Sequence, residues 1–271
     1  LPPPQALAEL SAGDAPAVPP PPFREVAEKH GRFLIPARDV YVGRSLEVYG
    51  QWCEAELDLL LPLLRPGDVV VDGSANIGAH AVPFAAAVGP AGRVWAVEPQ
   101  PRLAQCLAVN AHLNGAEAIR VVSAGLTDAP GALDLPEIDY GRELNFGGVE
   151  LDRLAADPAA KGRRANAVRV SLQPLDDLLA LPRLRLLKLD VERMELRALR
   201  CARATIRRTR PILYLENDHP EDAGPLLEEL GALGYAAWWH PAPLFDPRNA
   251  RGEARSLFAS ATCVNLLAAP E

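Results

Sequence analysis

Short apolar runs alternate with longer amphipathic stretches through most of the chain. The runs are bounded by Gly, Pro and Asp and are too short for helices, which is typical of buried parallel strands. We predict five of them, at residues 69–71, 93–97, 120–124, 186–189 and 212–215. Amphipathic stretches predict helices at 101–113, 192–207 and 222–233, and a shorter one after Pro174. This alternation predicts a parallel sheet covered by helices, closed by an antiparallel pair of strands at 235–239 and 261–267.

The flanking segments predict three parts of the chain. Residues 1–22 are rich in Pro and Ala and predict a mobile tail. Residues 23–51 predict two short strands and a turn, and residues 52–64 predict a helix with leucines on one face. We therefore divide the chain into a tail (1–22), an N-terminal extension (23–65) and a main domain (66–271), in which residues 126–172 form a lobe or hairpin over one edge.

The first central strand leads into a turn of small residues, with Gly73, Ser74 and Gly78 before a helix predicted from Ile77. Small residues let a ligand approach the backbone, and a helix start offers free N–H groups. The second strand ends in Glu98, an acid that can bind ribose hydroxyls in nucleotide-binding α/β units. An ordinary turn with a surface Glu is the alternative. The turn does not fit GxGxxG, which disfavours a nicotinamide-dependent oxidoreductase.

Composition narrows the function classes further. The net charge of −7 and the pI near 5.4 argue against a nucleic-acid partner, because phosphates need a basic surface. The four cysteines are scattered, without CxxC or zinc-ligand spacing, and favour buried reduced thiols over disulfides or zinc. No apolar run reaches the roughly 18 residues of a membrane span, and no signal peptide is visible. We expect a cytoplasmic protein, and Leu1 in place of Met leaves room for preceding residues.

Several blocks of sequence resemble the FkbM-type methyltransferases of bacteria. In order they are VVVDGSANIGAH, VWAVEPQPRLAQCLAVNAHLN, LKLDVERMELRAL and PILYLEN, flanked by DVYVGRSLEVYGQWCEAE, NFGG and YAAWWHPAPLFDPRN. The resemblance covers roughly residues 31–270. It implies a class I, Rossmann-like α/β fold with a seven-stranded sheet whose last strand is antiparallel. It also implies S-adenosylmethionine as donor and O-methylation of a sugar, natural product or other small molecule.

Two positions depart from the family pattern. The first turn usually reads Asp-x-Gly-Ala-Asn, and here Gly73-Ser74 replaces the x-Gly pair. Asp-Val-Glu-Gly usually follows the fourth strand, and here Arg193 replaces the Gly. If the family's turn glycine has a positive φ, Ser74 carries about 1–3 kcal/mol of strain, unless Gly73 absorbs the turn. A donor-binding protein with impaired catalysis is therefore the alternative function.

Donor-binding residues are predicted at the ends of the first three strands. We assign Asp72, Gly73, Ser74, Asn76 and Gly78 to the methionine part of the donor and Glu98 to its ribose. Ser123 and Ala124 are predicted to flank the adenine, with a plain strand end as the alternative. The segment Asn145-Phe146-Gly147-Gly148 is predicted to form a loop over the donor.

Catalytic candidates follow the fourth and fifth strands, because ligands of open parallel sheets bind at the carboxyl ends. They are Lys188, Asp190, Glu216, His219 and His240. A histidine can act as a base near neutral pH, although a structural role is the alternative for each. An internal salt bridge with Glu216 is the alternative for Lys188.

A magnesium site is a further hypothesis. Asp190, Glu216 and Asn217 resemble the acid and the acid–Asn pair that hold Mg²⁺ in catechol O-methyltransferase-like enzymes, and oxygen ligands suit this ion. Polar contacts to Lys188 or to the donor are the alternative. We expect a small-molecule or glycan acceptor and no nucleic acid, and we leave a homo-oligomer open.

Overall fold

A computed structural model of the protein describes residues 22–136, 138–148, 150, 167–219, 221 and 223–271. Residues 1–21 of the predicted tail lie outside this part of the chain. At the centre is a seven-stranded sheet. Its strands are β3 (Val69–Gly73), β4 (Arg93–Val97), β5 (Ile119–Val122), β9 (Leu186–Leu189), β10 (Ile212–Glu216), β11 (Tyr235–Pro243) and β12 (Thr262–Pro270).

The strand order is β11-β12-β10-β9-β3-β4-β5. Neighbours from β10 to β5 are parallel, whereas β12 pairs antiparallel with both β10 and β11. The predicted seven-stranded sheet with an antiparallel last strand is thereby confirmed. The strand predicted at 120–124 begins and ends earlier, so Ser123 and Ala124 follow it.

Helices cover both faces of the sheet. They are α3 (Ala81–Val88), α4 (Pro101–Leu113), α5 (Leu175–Leu178), α6 (Glu195–Cys201), α7 (Arg203–Thr209) and α8 (Ala223–Ala232). Two predicted helices differ because their first residues have left-handed backbone. The helix expected from Ile77 begins at Ala81, after Asn76 (φ 52°) and Gly78 (φ 91°). The helix expected at 192–207 begins at Glu195, after Glu192 (φ 53°) and Arg193 (φ 72°), and is divided at Ala202.

The N-terminal extension packs into the core of the main domain. It contains a hairpin of β1 (Phe23–Glu28) and β2 (Gly31–Pro36), then α1 (Val42–Val48), α2 (Glu54–Leu60) and a 3-10 turn (Leu61–Leu63). The prediction of only strands and a turn over residues 23–51 was wrong at α1. Leu57 and Leu60 are fully buried in one cluster with Val70 of β3 and Phe84 of α3. The extension and the sheet therefore share one core.

A second, three-stranded sheet forms the lobe predicted at residues 126–172. Its strands are β6 (Gly125–Leu126), β7 (Gly131–Leu135) and β8 (Val168–Gln173), in the order β6-β8-β7. Residues 151–166 of this segment lie outside the described part of the chain. Across the described residues, no helix combines the length and the apolarity needed to cross a membrane.

Candidate functional site

Polar side chains replace apolar ones at the carboxyl ends of the three central strands. Asp72 of β3 is the register partner of Lys188 of β9, and Lys188 is also the partner of Tyr214 of β10. Because side chains alternate along a strand, these three residues and Glu216 share one face. Their apolar neighbours on the strands pack in the core of the opposite face; these are Val71, Leu187, Leu189, Leu213 and Leu215. Polar positions that are isolated among apolar ones in the sequence thus lie side by side in the sheet, and we call Asp72, Lys188, Tyr214 and Glu216 the polar row.

Lys188 is the centre of this row and is 2% exposed. Its Nζ lies 3.1 Å from Asp190 Oδ2 and 3.7 Å from Asp72 Oδ1. Burial opposes the charged form, but Asp190 and Asp72 outweigh burial and raise the pKa of Lys188 above its ordinary value. The lysine is therefore a fixed cation. The salt bridge considered with Glu216 is made with the two aspartates instead.

Asp190 and Glu216 form a hydrogen-bonded carboxyl pair beside Lys188. Burial and the Asp190 charge raise the pKa of Glu216 well above its ordinary value. Burial acts against ionisation of Asp190 too, but Lys188 and the hydrogen bond from Glu216 hold its pKa below the ordinary value. Two adjacent carboxyls cannot both ionise at low cost. The pair therefore carries one proton, on Glu216, and one charge, on Asp190.

Asp72 is fully buried, and neither of its carboxylate oxygens receives a hydrogen bond. Burial raises the pKa of Asp72, against the opposing effects of Lys188 and His80. A buried carboxylate without donors is costly unless a ligand supplies them. Asp72 borders the cavity described next, so a cationic ligand bearing N–H or O–H groups fits this position.

A cavity of about 300 Å³ opens beside the polar row. The turn after β3 forms one wall, and the ends of β9 and β10 form another. The N-terminal extension contributes Tyr41, Val42 and Trp52, and the loop 145–148 lies above. Polar residues that border it include Asp72, Ser74, Asn76, His80, Asn145, Lys188, Asp190, Glu192, Glu216 and Asp218. The acidic lining favours a cationic ligand.

The turn is the first of the two places where the sequence departs from the FkbM-type pattern that it resembles. Ser74 has φ 64°, whereas Gly73 lies in ordinary extended strand. Of the two arrangements considered for this turn, the structure has the one in which Ser74 carries the strain. Arg193, the other departure, also has a left-handed backbone, with φ 72°.

Glu98 lies beneath the turn and is 1% exposed. Its two carboxylate oxygens accept hydrogen bonds from the backbone N–H groups of Asn76 and Gln100, both at 2.8 Å. Burial raises the pKa of Glu98 to about 7, although both hydrogen bonds lower it. Glu98 does not border the cavity. Each oxygen keeps a second lone pair that could accept from a ribose hydroxyl. The predicted contact of Glu98 with the ribose stays a prediction, and it requires that the ribose reach Glu98 past the turn.

The loop predicted to cover the donor lies directly on this turn. Phe146 is buried and stacks on Tyr140 with ring centroids 4.6 Å apart. Gln100 Nε2 donates to the Phe146 carbonyl at 2.6 Å. A Cβ on Gly147 would come within 2.6 Å of Asn76 Nδ2, so glycine here lets the loop lie against the Asn76 side chain without displacing it.

The remaining predicted residues lie away from the cavity. Ser123 is exposed and Ala124 is buried in the core of the opposite face. Asn217 and His219 border a smaller cavity of about 70 Å³, which Glu216 shares. His240 Nδ1 is hydrogen bonded to the Tyr214 hydroxyl at 2.8 Å. Of the proposed magnesium ligands, the structure brings Asp190 and Glu216 together and places Asn217 on the other side.

Two buried polar residues beside the site, Glu56 and Asn265, were not predicted, and His80 was considered as a base but ranked below His219 and His240. Glu56 of α2 is buried and accepts a hydrogen bond from Asn265 Nδ2 of β12 at 3.1 Å. His80 Nε2 lies 3.0 Å from Glu56 Oε2, and His80 borders the cavity. The sequence held one signal: Glu56 stands four residues before Leu60, on the apolar face of its helix.

Comparisons with known proteins agree with this geometry. The model of the methyltransferase FkbM domain matches residues 72–237, more than half of the chain. That range contains the turn, Glu98 and the ends of β9 and β10. No protein with a curated description matches the sequence.

Solved structures share the fold at low identity. A transferase candidate from Pyrococcus horikoshii is 14% identical with a TM-score of 0.50, over 91% of this chain and 71% of that one. The methyltransferase FkbM from Methylobacillus flagellatus KT is 18% identical with a TM-score of 0.47, over 79% and 50%. The O-methyltransferase TomG from Streptomyces achromogenes, in complex with SAM, is 14% identical with a TM-score of 0.44, over 80% and 78%.

The present chain thus spans half the length of the M. flagellatus protein. Family match and sheet topology lead to the same conclusion. The chain belongs to the FkbM methyltransferase family and has the class I methyltransferase fold.

Proposed function

We propose that the protein is an O-methyltransferase that methylates a hydroxyl of a small molecule, sugar or natural product. One observation carries the proposal: the Asp190 carboxylate borders the cavity, 3.1 Å from the Nζ of buried Lys188 and hydrogen bonded to Glu216. An acceptor hydroxyl needs such an anion to hold or take its proton during methyl transfer.

Bound S-adenosylmethionine supplies an electrophilic methyl group on a cationic sulfonium. On the protein side, the Asp72 oxygens, which receive no hydrogen bond, and the Ser74–Asn76 backbone are the groups available to hold it. Asp190, whose side chain is 39% exposed, accepts the acceptor's proton. Lys188 stays protonated, so it orients Asp190 and is not the base. Lys188 could instead have a purely structural role. The two roles differ in whether the Asp190 that it orients contacts the acceptor.

The histidine candidates His219 and His240 and the magnesium hypothesis have weaker support than Asp190. His219 and His240 do not border the larger cavity. Asp190 Oδ2 already accepts from Lys188, and Asn217 lies outside the cavity. We therefore favour direct acid–base chemistry by Asp190 and Glu216. The magnesium hypothesis is tested by including Mg²⁺ in the experiment below.

The acceptor is proposed as a small molecule or glycan and not a nucleic acid. The net charge of −7 and the acidic lining of the cavity support this class, because both would repel phosphates.

The test begins with a thermal melt in S-adenosylhomocysteine, with and without magnesium. At about 100 times its Kd a ligand adds roughly 2.7 kcal/mol, which should raise the Tm by about 5–10 °C. We expect this shift for the wild type and for Asp190→Asn, since Asp190 serves the acceptor. The Asp72→Asn variant should lose most of it. A further rise that needs magnesium would support the metal hypothesis.

Turnover is then measured with radiolabelled donor and a panel of hydroxylated acceptors. Asp190→Asn should lower kcat about 10²–10⁴-fold, whereas Asp218→Asn, at the rim of the same cavity, should leave it within a few fold. Absence of a thermal shift would exclude a working donor site. A shift without turnover on any acceptor would favour a donor-binding protein with impaired catalysis.

A further inference from the structure

A cluster of soft and borderline metal ligands lies in the wall of the cavity, outside the acid–lysine row. The cluster consists of Cys53, Glu56, Cys263 and the adjacent His80. The two thiols and one Glu56 oxygen lie within 4.8 Å of one another. Cys53 precedes α2, and Cys263 is near the start of β12. The fold therefore joins residues that are far apart in the chain.

His80 supplies an independent observation. It is 6% exposed, and its Nε2 has no hydrogen-bond partner although it lies 3.0 Å from Glu56 Oε2. A buried ring nitrogen that points at a carboxylate without a well-formed hydrogen bond is suited to share a cation with it. Adjacent ligand atoms of a tetrahedral zinc ion are roughly 3.3–3.8 Å apart, given bond lengths of about 2.0–2.3 Å. Small side-chain adjustments would reach these separations.

The surroundings resemble the outer shell of a metal site. Asn265 Nδ2 donates to Glu56 Oε1 at 3.1 Å and fixes the carboxylate. The charge of nearby Lys188 is neutralised by Asp72 and Asp190. Sulfur and imidazole ligands select zinc over magnesium or calcium.

We propose that Cys53, Glu56, Cys263 and His80 form a zinc-binding site in the cavity wall. Cys263 and His80 both border the cavity, so the cation would face the space in which the acceptor is proposed to bind. The site is distinct from the Asp190, Glu216 and Asn217 hypothesis, and it does not depend on the proposed O-methylation.

The test is a Co²⁺ titration of the full chain, first stripped with a chelator and kept reduced. We expect one Co²⁺ per chain, a thiolate-to-cobalt charge-transfer band, the visible bands of tetrahedral cobalt, and displacement by Zn²⁺. Cys53→Ala and Cys263→Ala should each weaken binding at least 10-fold and reduce the charge-transfer band. His80→Ala should alter the visible bands. Cys106→Ala is the matched control, because Cys106 is a buried thiol of α4 outside the proposed site, and this variant should bind as the wild type does.

A measurement on the wild type covers the possibility that a variant fails to fold. Zn²⁺ should slow alkylation of Cys263, which is partly exposed, and should leave Cys106 and Cys201 unchanged. The proposal is overturned if saturating Co²⁺ gives no charge-transfer band, or if Cys106→Ala loses binding equally. Formation of a Cys53–Cys263 disulfide on oxidation, without metal binding in the reduced protein, would also overturn it. None of these readouts requires donor binding or turnover.

Discussion

At Ser74 a side chain stands where the backbone is suited to glycine. Its φ of 64° costs a non-glycine residue about 1–3 kcal/mol. We expect Ser74→Gly to raise the free energy of unfolding by about 0.5–2 kcal/mol, since glycine's greater freedom in the unfolded chain offsets part of the gain. Urea denaturation measures the change. Ser123→Gly, at an exposed position without positive φ, should be neutral or destabilising by up to about 1 kcal/mol. A lower free energy of unfolding in Ser74→Gly would contradict the proposed backbone strain at Ser74.

Glu98 makes stability depend on pH. Burial raises its pKa from 4.5 to about 7, so the folded state retains a proton that the unfolded chain releases. Its contribution is therefore fully present below about pH 4.5 and is lost as the pH rises through 7, by about 3 kcal/mol in total. Urea unfolding at pH 5 and pH 8 should show a smaller decline for Glu98→Gln than for the wild type. Equal declines in the two proteins would contradict this.

At the scale of the element, one buried carboxylate joins three helices behind the sheet. Glu229 of α8 is 5% exposed and accepts from Arg203 of α7 at 2.6 and 2.5 Å and from Arg200 of α6 at 3.4 Å. The Arg203 fork binds it through two parallel hydrogen bonds, the strong form of such a pair. The pKa of Glu229 is lowered chiefly by the Arg203 hydrogen bond. This contact fixes how α8 lies against the helices that follow β9.

We expect Glu229→Ala to lower the free energy of unfolding by about 1–3 kcal/mol, because it leaves the arginines without their acceptor. Glu228→Ala is the matched control, since Glu228 is the exposed neighbour on the same helix, and it should change stability by less than about 0.5 kcal/mol. Chemical denaturation at pH 7 measures both. Equal effects of the two changes would show that the contact contributes nothing.

The sequence predicted the elements of the sheet well and the starts of its helices less well. The strands predicted at 93–97 and 186–189 agree with β4 and β9. Short β-branched or leucine runs between Gly, Pro and charged residues are too short for helices, so a buried strand is the structure they favour. The helices predicted from 77 and 192 began three or four residues late. Positive φ at Ser74, Asn76, Glu192 and Arg193 extends both loops, and residue type alone does not indicate a left-handed backbone at Ser or Arg.

At the scale of the whole molecule, the extension and the main domain share one core. We therefore expect the parts on either side of the predicted boundary at residue 65 to unfold together. Leu57 is 1% exposed and lies in the cluster that contains Val70 and Phe84. We expect Leu57→Ala to destabilise the protein by about 2–5 kcal/mol and to shift a single cooperative transition.

Fluorescence and far-UV circular dichroism followed through the same urea titration measure this. Asp58→Ala, one residue along on the exposed side of the helix, is the control and should be close to neutral. Two separate transitions, with only the first shifted by Leu57→Ala, would show that the extension unfolds independently.

The sequence by itself determined the parallel sheet, its antiparallel closing strand, the polar ends of β3, β9 and β10, and the FkbM family. The elements of the sheet follow from local periodicity, and the family follows from the resemblance of successive sequence blocks. Only the tertiary structure decided which polar groups meet. It paired Lys188 with Asp72 and Asp190, placed Asn217 and the two later histidines away from the cavity, and brought His80 to its wall, with Glu56 behind it.

The cysteines show the same limit. Their spacing predicted scattered, buried thiols without a zinc site, and three of the four are indeed buried. Yet Cys53 and Cys263, more than two hundred positions apart, lie together beside Glu56. Sequence spacing can indicate metal ligands only when they share one loop or helix. Cys53 and Cys263 instead come from the start of a helix and from the last strand of the sheet. Only the pairing of β12 with β10 and β11, and the packing of α2 beside β11, bring them together.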